Sequence, residues 1–149
     1  MPLFGTIVVP MDFSKAAIRA LEVAAGFCEQ GVARQLALVH GNYVPVELVE
    51  FAQGEGGDLT SRISERAAES LSKLLSGLQD RGIASEYFAL QGAPCDVILE
   101  TVQKRGADLI VMGTHGHSGL AHLALGSVAE RVVRLSPVPV LTVKGGGDG

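Results

Sequence analysis

Five short apolar runs alternate along this chain with segments that have the periodicity of amphipathic helices. Apolar runs of this length, bounded by turn residues, are typical of strands buried in a parallel sheet. The predicted strands are 4–9, 35–40, 85–90, 109–112 and 138–143. Alternating strands and helices form βαβ units with right-handed crossovers, so the strands of one sheet run parallel. The sequence therefore predicts an α/β fold with a single open five-stranded parallel sheet and helices on both faces.

Residues typical of helix ends mark where the first helix begins and stops. Asp12 and Ser14 are both good N-cap residues, and Gly31 is a typical stop. Helical spacing predicts that the buried face of this helix is formed by Ile18, Leu21, Ala25 and Cys28. The two cysteines, Cys28 and Cys95, lie in apolar helical patterns without CxxC spacing and are expected to be buried, reduced thiols.

The middle of the chain contains one poorly patterned stretch between two further helices. Residues 41–57 show no periodicity and end in several glycines, so we expect a mobile loop, with a short helical turn over 45–52. A long amphipathic helix follows and is closed by Gly82. Pro94 suits the first turn of the next helix, and the last helix is predicted over 128–135.

The composition is that of one folded domain. The chain has 149 residues, of which 47% are hydrophobic and 19% are charged, which favours a globular protein over a disordered one. Its formal net charge of -4 gives no electrostatic reason to expect nucleic acid or an anionic membrane surface as a partner. No apolar segment approaches the ~18 residues that a transmembrane helix needs. The expected location is therefore cytoplasmic, without nucleic acid or membrane as partners.

The segment 113–127, between the fourth strand and the last helix, is unusually rich in glycine. Four glycines fall within fourteen residues there: Gly113, Gly116, Gly119 and Gly126. Because glycine has no Cβ atom, the main chain can turn sharply and approach a ligand closely. Exposed backbone N–H groups followed by a helix N-terminus favour an anion, most commonly a phosphate. The segment is not a Walker A motif, and no GxGxxG follows the first strand.

An ordinary strand-to-helix connection is the alternative interpretation of this segment. Ser127 and Glu130 have the spacing of a capping box, which such a connection would explain. The concentration of glycines would then have no explanation. A phosphate-binding segment is therefore the favoured interpretation.

Asp12 is the carboxylate best placed to act together with the glycine segment. In open parallel sheets, ligands bind at the carboxyl ends of the strands, where the strand order reverses. Asp12 follows the first strand and Gly113 follows the fourth, so the two face one crevice if these strands are neighbours. The alternative role for Asp12 is that of N-cap of the first helix.

The histidines offer a weaker set of candidates. His115, His117 and His122 suggest a zinc site, but no acidic or cysteine ligand lies near them in sequence, so this interpretation is not favoured. His40, at the end of a strand, is expected to be a hydrogen-bonded structural histidine. No arginine or lysine is placed to stabilise a transferred phosphate, so the sequence favours nucleotide binding over efficient hydrolysis.

Several motifs together resemble the universal stress protein family. They are Pro10-x-Asp12-x-Ser14, Val39-His40, Met112-Gly113-Thr114-His115-Gly116, Gly126-Ser127 and Pro137-x-Pro139-Val140-Leu141. The similarity extends from Phe4 to Lys144, and the G-x2-G-x9-G-[ST] pattern is the mark of the family's ATP-binding branch. The resemblance implies a Rossmann-like sheet of adenine-nucleotide-binding type in a domain spanning 1–144. Residues 145–149 are expected to be a disordered tail.

The resemblance also implies a ligand, ATP with Mg²⁺, and places its base and ribose. Asp12, in the motif that begins at Pro10, would meet the ribose or a metal ion bound to the phosphates. The backbone from Val39 to Gly41 would line the adenine. Gly41 stands where the family often has an apolar side chain, so looser packing of the adenine is expected.

The phosphates would lie on the glycine segment. Met112 and Gly113 would contact the ribose and phosphates, and the phosphate chain would be held by Gly116, Gly126, Ser127 and Val128. His117 stands where the family commonly has an arginine, which removes a fixed positive charge near the phosphates.

The predicted last strand, 138–143, suggests how the chain associates. It is an apolar edge strand protected only by Pro139 and Lys144, and exposed edges of this kind pair with another copy. The resemblance likewise implies a homodimer through this strand; the alternative is that a helix or the tail covers it. The function expected is that of an ATP-binding regulatory module in the stress response, with an unidentified protein partner. The alternatives are a slow ATPase or nucleotide-transferring enzyme, and a nucleotide-free dimeric interaction protein.

Overall fold

The computed structural model describes residues 1–42, 56–116 and 125–145 of the chain. The predicted helical turn over 45–52, and the candidate residues His117, Gly119 and His122, lie outside these ranges. Within them, strands and helices alternate as the sequence predicts. The elements are β1 Phe4–Pro10, α1 Lys15–Glu29, β2 Ala33–Asn42, α2 Gly56–Asp80, β3 Ala84–Gln91, α3 Pro94–Arg105, β4 Leu109–Gly113, α4 Ser127–Leu135 and β5 Val140–Val143.

The five strands form one parallel sheet with the order β3-β2-β1-β4-β5. In the centre, Ile7 of β1 lies beside Leu36 of β2 on one side and Leu109 of β4 on the other. The predicted fold class is therefore confirmed. The first and fourth strands are neighbours, and the strand order reverses between them.

Side chains alternate between two hydrophobic cores, one on each face of the sheet. Ile7 and Val9 of β1 pack with α1 and α2, whereas Val8 between them packs with α3 and α4. This alternation follows from the period of two residues in an extended strand. Each core therefore holds two helices against the sheet, and their N-termini lie at its carboxyl edge.

The packed face of α1 differs from the predicted one. Ile18 is 37% exposed, and the buried positions of the helix are mainly alanines: Ala16, Ala17, Ala20, Leu21, Ala24 and Ala25. Small side chains let this helix lie close to the sheet, so a large residue at position 18 has no place on that face. Helical spacing correctly predicted that Leu21 and Ala25 are buried and was wrong for Ile18.

Several predicted boundaries also change. The poorly patterned stretch was expected to start at residue 41, but Gly41 and Asn42 continue β2, where they pair with Leu90 and Gln91 of β3. At its other end, Gly56 and Gly57 already belong to α2. The last strand is shorter than predicted and covers Val140–Val143.

The two cysteines do not share one environment. Cys95 is buried, as expected, but Cys28 is only half-buried, and both are free thiols. Burial raises the pKa of both thiols, so they are protonated at neutral pH and are poor nucleophiles. Neither cysteine therefore has the character of a catalytic residue.

No helix within residues 1–42, 56–116 and 125–145 is both long and apolar enough to cross a membrane.

Candidate functional site

A cavity of about 260 Å³ opens at the carboxyl edge of the sheet, where the strand order reverses. It is bordered by the ends of β2, β1 and β4 and by the N-termini of α1, α3 and α4. Open α/β sheets bind ligands at this position because the two outgoing connections leave in opposite directions and separate there. The cavity is therefore the candidate site.

The ten residues to which the family resemblance assigns ligand binding all line this cavity. These residues are Pro10, Asp12, Val39, Gly41, Met112, Gly113, Gly116, Gly126, Ser127 and Val128. They come from the ends of three strands, from the connections after β1 and β4 and from the start of α4, so only the fold brings them together. Pro94 and Ile98 of α3 are among the further lining residues that sequence reasoning did not propose. The signal that could have found them is that α3 begins at the same sheet edge.

The two ends of the glycine segment meet at Thr114. The backbone N–H of Gly126 donates a hydrogen bond to the carbonyl oxygen of Thr114 at 2.7 Å. The N–H of Thr114 in turn donates to the carbonyl oxygen of Val143 at 2.9 Å. The start of α4 is therefore fastened beside the end of β4, and both border the cavity.

The N-terminus of α4 lacks the capping box that the alternative interpretation of this segment offered. The N-cap residue is Gly126, Ser127 is already the first helical residue, and no side chain in the described ranges caps this end. Glu130 instead forms an ion pair with Arg134 at 3.0 Å, one turn along the helix. An N-terminus without a side-chain cap keeps N–H donors and a partial positive charge, which favours an anion there.

Asp12 sits in a tight turn between β1 and α1 and is not the N-cap. Ser14 is the N-cap, since its hydroxyl oxygen accepts the N–H of Ala17 at 3.1 Å. Asp12 Oδ1 accepts the N–H of Ser14 at 2.9 Å, which fixes the orientation of the carboxylate beside the cavity. The turn is strained at Phe13, whose φ of 64° is uncommon for a residue with a large side chain.

His40 supports this turn, as expected of a hydrogen-bonded structural histidine. Its Nδ1 lies 2.7 Å from the carbonyl oxygen of Met11, and because a carbonyl only accepts, Nδ1 carries the proton. The imidazole ring lies 5.7 Å from the ring of Phe13, centroid to centroid. These contacts hold the strained turn and thereby the position of Asp12.

The described residues give no support to a metal centre built from protein ligands alone. No group of three or more His, Cys, Asp or Glu side chains comes together within the parts of the chain that the structure covers. His115 Nδ1 lies 3.0 Å from the hydroxyl oxygen of Thr114. Since His117 and His122 lie outside the described ranges, the disfavoured zinc interpretation stays untested.

Comparison with known proteins assigns the chain to a family. The model of the universal stress protein family matches residues 3–144. The chain belongs to the universal stress protein family. Universal stress protein MJ0531 of Methanocaldococcus jannaschii is 35% identical to it over 95% of this chain and 83% of that protein.

Two solved members of the family extend this comparison to three dimensions. The structure of MJ0577, also from Methanocaldococcus jannaschii, has a TM-score of 0.86 and 28% identity over 98% of this chain and 99% of that chain. A universal stress protein solved in complex with cAMP has a TM-score of 0.63 and 26% identity over 96% of this chain and 98% of that chain. This universal stress protein therefore shares its fold with family members over almost its whole length.

Proposed function

We propose that this universal stress protein binds ATP together with Mg²⁺ in the cavity and acts as a nucleotide-dependent regulatory module. The observation that carries the proposal is the convergence of the ten predicted residues on one cavity at the switch point of the sheet. The family member solved with cAMP supports an adenine nucleotide as the ligand class.

The phosphates are assigned to the side of the cavity formed by β4 and α4. Here Gly116 and Gly126 let the main chain approach a ligand without a side chain between them, and the N-terminus of α4 offers N–H donors. A Cβ atom on residue 126 would lie 3.2 Å from the carbonyl oxygen of Thr114, so this close arrangement favours glycine. Main-chain donors at a helix N-terminus suit phosphate oxygens.

The Asp12 carboxylate fits a Mg²⁺ ion that arrives with the phosphates. Magnesium in nucleotide sites is commonly held by one or two carboxylates and by the substrate's phosphate oxygens. Asp12 lines the cavity, and its Oδ2 lies so close to Gly116 that a Cβ atom there would be 2.5 Å away. The carboxylate is thus next to the segment assigned to the phosphates. Asp12 would hold the ion, which would neutralise phosphate charge.

The experiment that tests the proposal is a search for bound nucleotide followed by a titration. Protein denatured as purified should release an adenine nucleotide, and stripped protein should rebind ATP more tightly with Mg²⁺ than with EDTA, measured by isothermal titration calorimetry. Titration with cAMP, which has one phosphate and a single negative charge, should show weaker binding and little effect of Mg²⁺. An absence of binding up to millimolar ATP would contradict the proposal.

Regulation requires that nucleotide binding change the surface that a partner protein contacts. We expect ATP to slow amide hydrogen exchange in peptides covering 113–127, because bound phosphates would occupy the N–H groups of that segment. Identical exchange rates with and without ATP would contradict the regulatory part of the proposal but not the binding of the nucleotide. The cytoplasmic location and the identity of the protein partner stay predictions from the sequence.

We also propose that two copies associate through β5. This strand lies at the edge of the sheet, and no strand in the described ranges pairs with its outer side. Exposed apolar side chains of β5 and α4 adjoin this edge, namely Val133, Leu135 and Leu141. An apolar edge of this kind is suited to pairing with a second copy of the same chain.

Replacing Leu141 with glutamate should convert the dimer to a monomer of 15.5 kDa, because two carboxylates would be buried near each other in the symmetric interface. Light scattering coupled to size-exclusion chromatography measures the mass. Ile18→Glu is a matched control, because Ile18 has the same 37% exposure but lies on α1. A wild-type monomer, or a Leu141→Glu dimer of unchanged affinity, would contradict this pairing.

A further inference from the structure

The start of α3 closes tightly over the end of β2. A Cβ atom on Gly41 would lie 3.1 Å from both the carbonyl oxygen of Gly92 and the Cα atom of Pro94. Both are backbone atoms of the β3–α3 connection, so a side chain at position 41 would have to displace the connection itself. Glycine at 41 thus follows from the close approach of α3.

The turn that leads into α3 also depends on a glycine. Gly92 has a φ of 140°, which residues with side chains rarely adopt, and a Cβ atom there would lie 3.1 Å from Val97 Cγ2. Val97 is itself buried in the core between α3 and the sheet. The turn that brings Pro94 over the end of β2 therefore depends on glycine at 92 as well as at 41.

Pro94 and Ile98 form an apolar wall of the cavity. They lie four residues apart on α3, so they share one face of the helix, and both line the cavity. Ile98 is only 3% exposed and belongs to the same core as Val39 and Met112, which also line the cavity. This wall has no side-chain hydrogen-bonding group of its own and contributes contact area instead.

The wall stands at the opposite end of the cavity from the segment assigned to the phosphates. The wall adjoins β2, the phosphate segment follows β4, and β1 lies between these strands. Two inter-strand spacings separate the ends by about 10 Å. A nucleotide with its phosphates at α4 therefore places its base beside α3.

We propose that Pro94 and Ile98 are the surface against which the nucleobase packs, and that they give the site a preference for purines over pyrimidines. The inference rests on the proposed nucleotide function. The backbone of the β3–α3 connection occupies the space that an apolar side chain at position 41 would otherwise fill, and Pro94 and Ile98 of α3 line the cavity beside it. Since the wall is apolar, the binding free energy of a base depends on the area that it buries against the wall. The larger purine ring buries more area than a pyrimidine ring and should bind more tightly.

The test compares ATP with CTP, which share the ribose and triphosphate and differ in the base. Wild-type protein should bind ATP more tightly than CTP in isothermal titration calorimetry with Mg²⁺. Ile98→Ala should raise the dissociation constant of ATP about tenfold and that of CTP by a smaller factor. Loss of a few methyl or methylene contacts in an apolar pocket costs roughly that much affinity. Pro94→Ala should reduce the preference in the same direction without removing a core side chain.

Val102→Ala is the matched control, because Val102 lies one turn further along α3, is also 3% exposed and does not line the cavity. It should destabilise the fold yet leave the ratio of the ATP and CTP dissociation constants unchanged. Ratios within twofold of wild type for both Ile98→Ala and Pro94→Ala would overturn the inference while ATP binding stands. A wild-type protein that binds neither nucleotide would instead overturn the proposed function.

Discussion

Gly116→Val should abolish ATP binding while the protein remains folded. Among the described residues, the atoms within 4 Å of a Cβ at this position belong to Asp12, with Oδ2 at 2.5 Å and Cγ at 3.7 Å. A carboxylate can rotate away, so the backbone does not have to move. The valine side chain would then occupy the cavity beside the proposed phosphates and displace the carboxylate proposed to meet Mg²⁺.

We expect at least a hundredfold rise in the ATP dissociation constant, which corresponds to about 2.7 kcal/mol. The melting temperature should change by only a few degrees, since Gly116 is exposed and its backbone is not strained. Calorimetric titration and thermal unfolding measure the two quantities. Gly77→Val is the matched control, because no described atom lies within 4 Å of a Cβ at that position. Wild-type ATP affinity in Gly116→Val would contradict the assignment of the phosphates to this side of the cavity.

Gly113→Val should have the opposite effect and destabilise the fold itself. A Cβ atom on residue 113 would lie 2.7 Å from Ala16 Cβ, 2.8 Å from the carbonyl carbon of Ala16 and 2.9 Å from the nitrogen of Ala17. Two of these atoms are backbone of α1, so no side-chain rotation relieves the clash. The helix would have to move away from the sheet and lose part of its packed alanine face.

We expect Gly113→Val to lower the free energy of unfolding by about 3 kcal/mol, the upper part of the range for overpacked cores. Urea titration measures this loss, and the midpoint should fall at unchanged slope if unfolding stays two-state. An unfolding midpoint equal to that of the wild type would contradict this prediction and would show that α1 can move away from residue 113 at little cost. Together the two valine variants separate a glycine required for packing from a glycine required for the ligand.

Local patterns predicted this fold well because each strand and helix has a clear periodicity. They failed where a distant partner decides the outcome. The end of β2 was read as loop because Gly41 and Asn42 carry no strand pattern, yet β3 supplies their hydrogen-bonding partners. Ile18 was placed in the core because helical spacing does not show how closely α1 approaches the sheet.

The candidate site was predictable to a similar extent. Motifs identified the residues that follow β1 and β4, because their glycines and carboxylate are unusual in themselves. Pro94 and Ile98 escaped notice since a proline at a helix start and an apolar helical residue have ordinary structural roles. Only the three-dimensional arrangement shows that the same two residues also face the cavity.

The hydrogen bonds of Thr114 join the cavity to the edge of the sheet. Thr114 receives a hydrogen bond from Gly126 at the cavity and donates one to Val143 of the edge strand. If a nucleotide binds beside the Gly126 contact and a second chain pairs with the edge strand, both events act on the backbone of one residue, Thr114. Their free energies are then coupled, and coupling is reciprocal: the factor by which ATP tightens the dimer equals the factor by which dimerisation tightens ATP. Such a protein would report nucleotide concentration as a change in assembly.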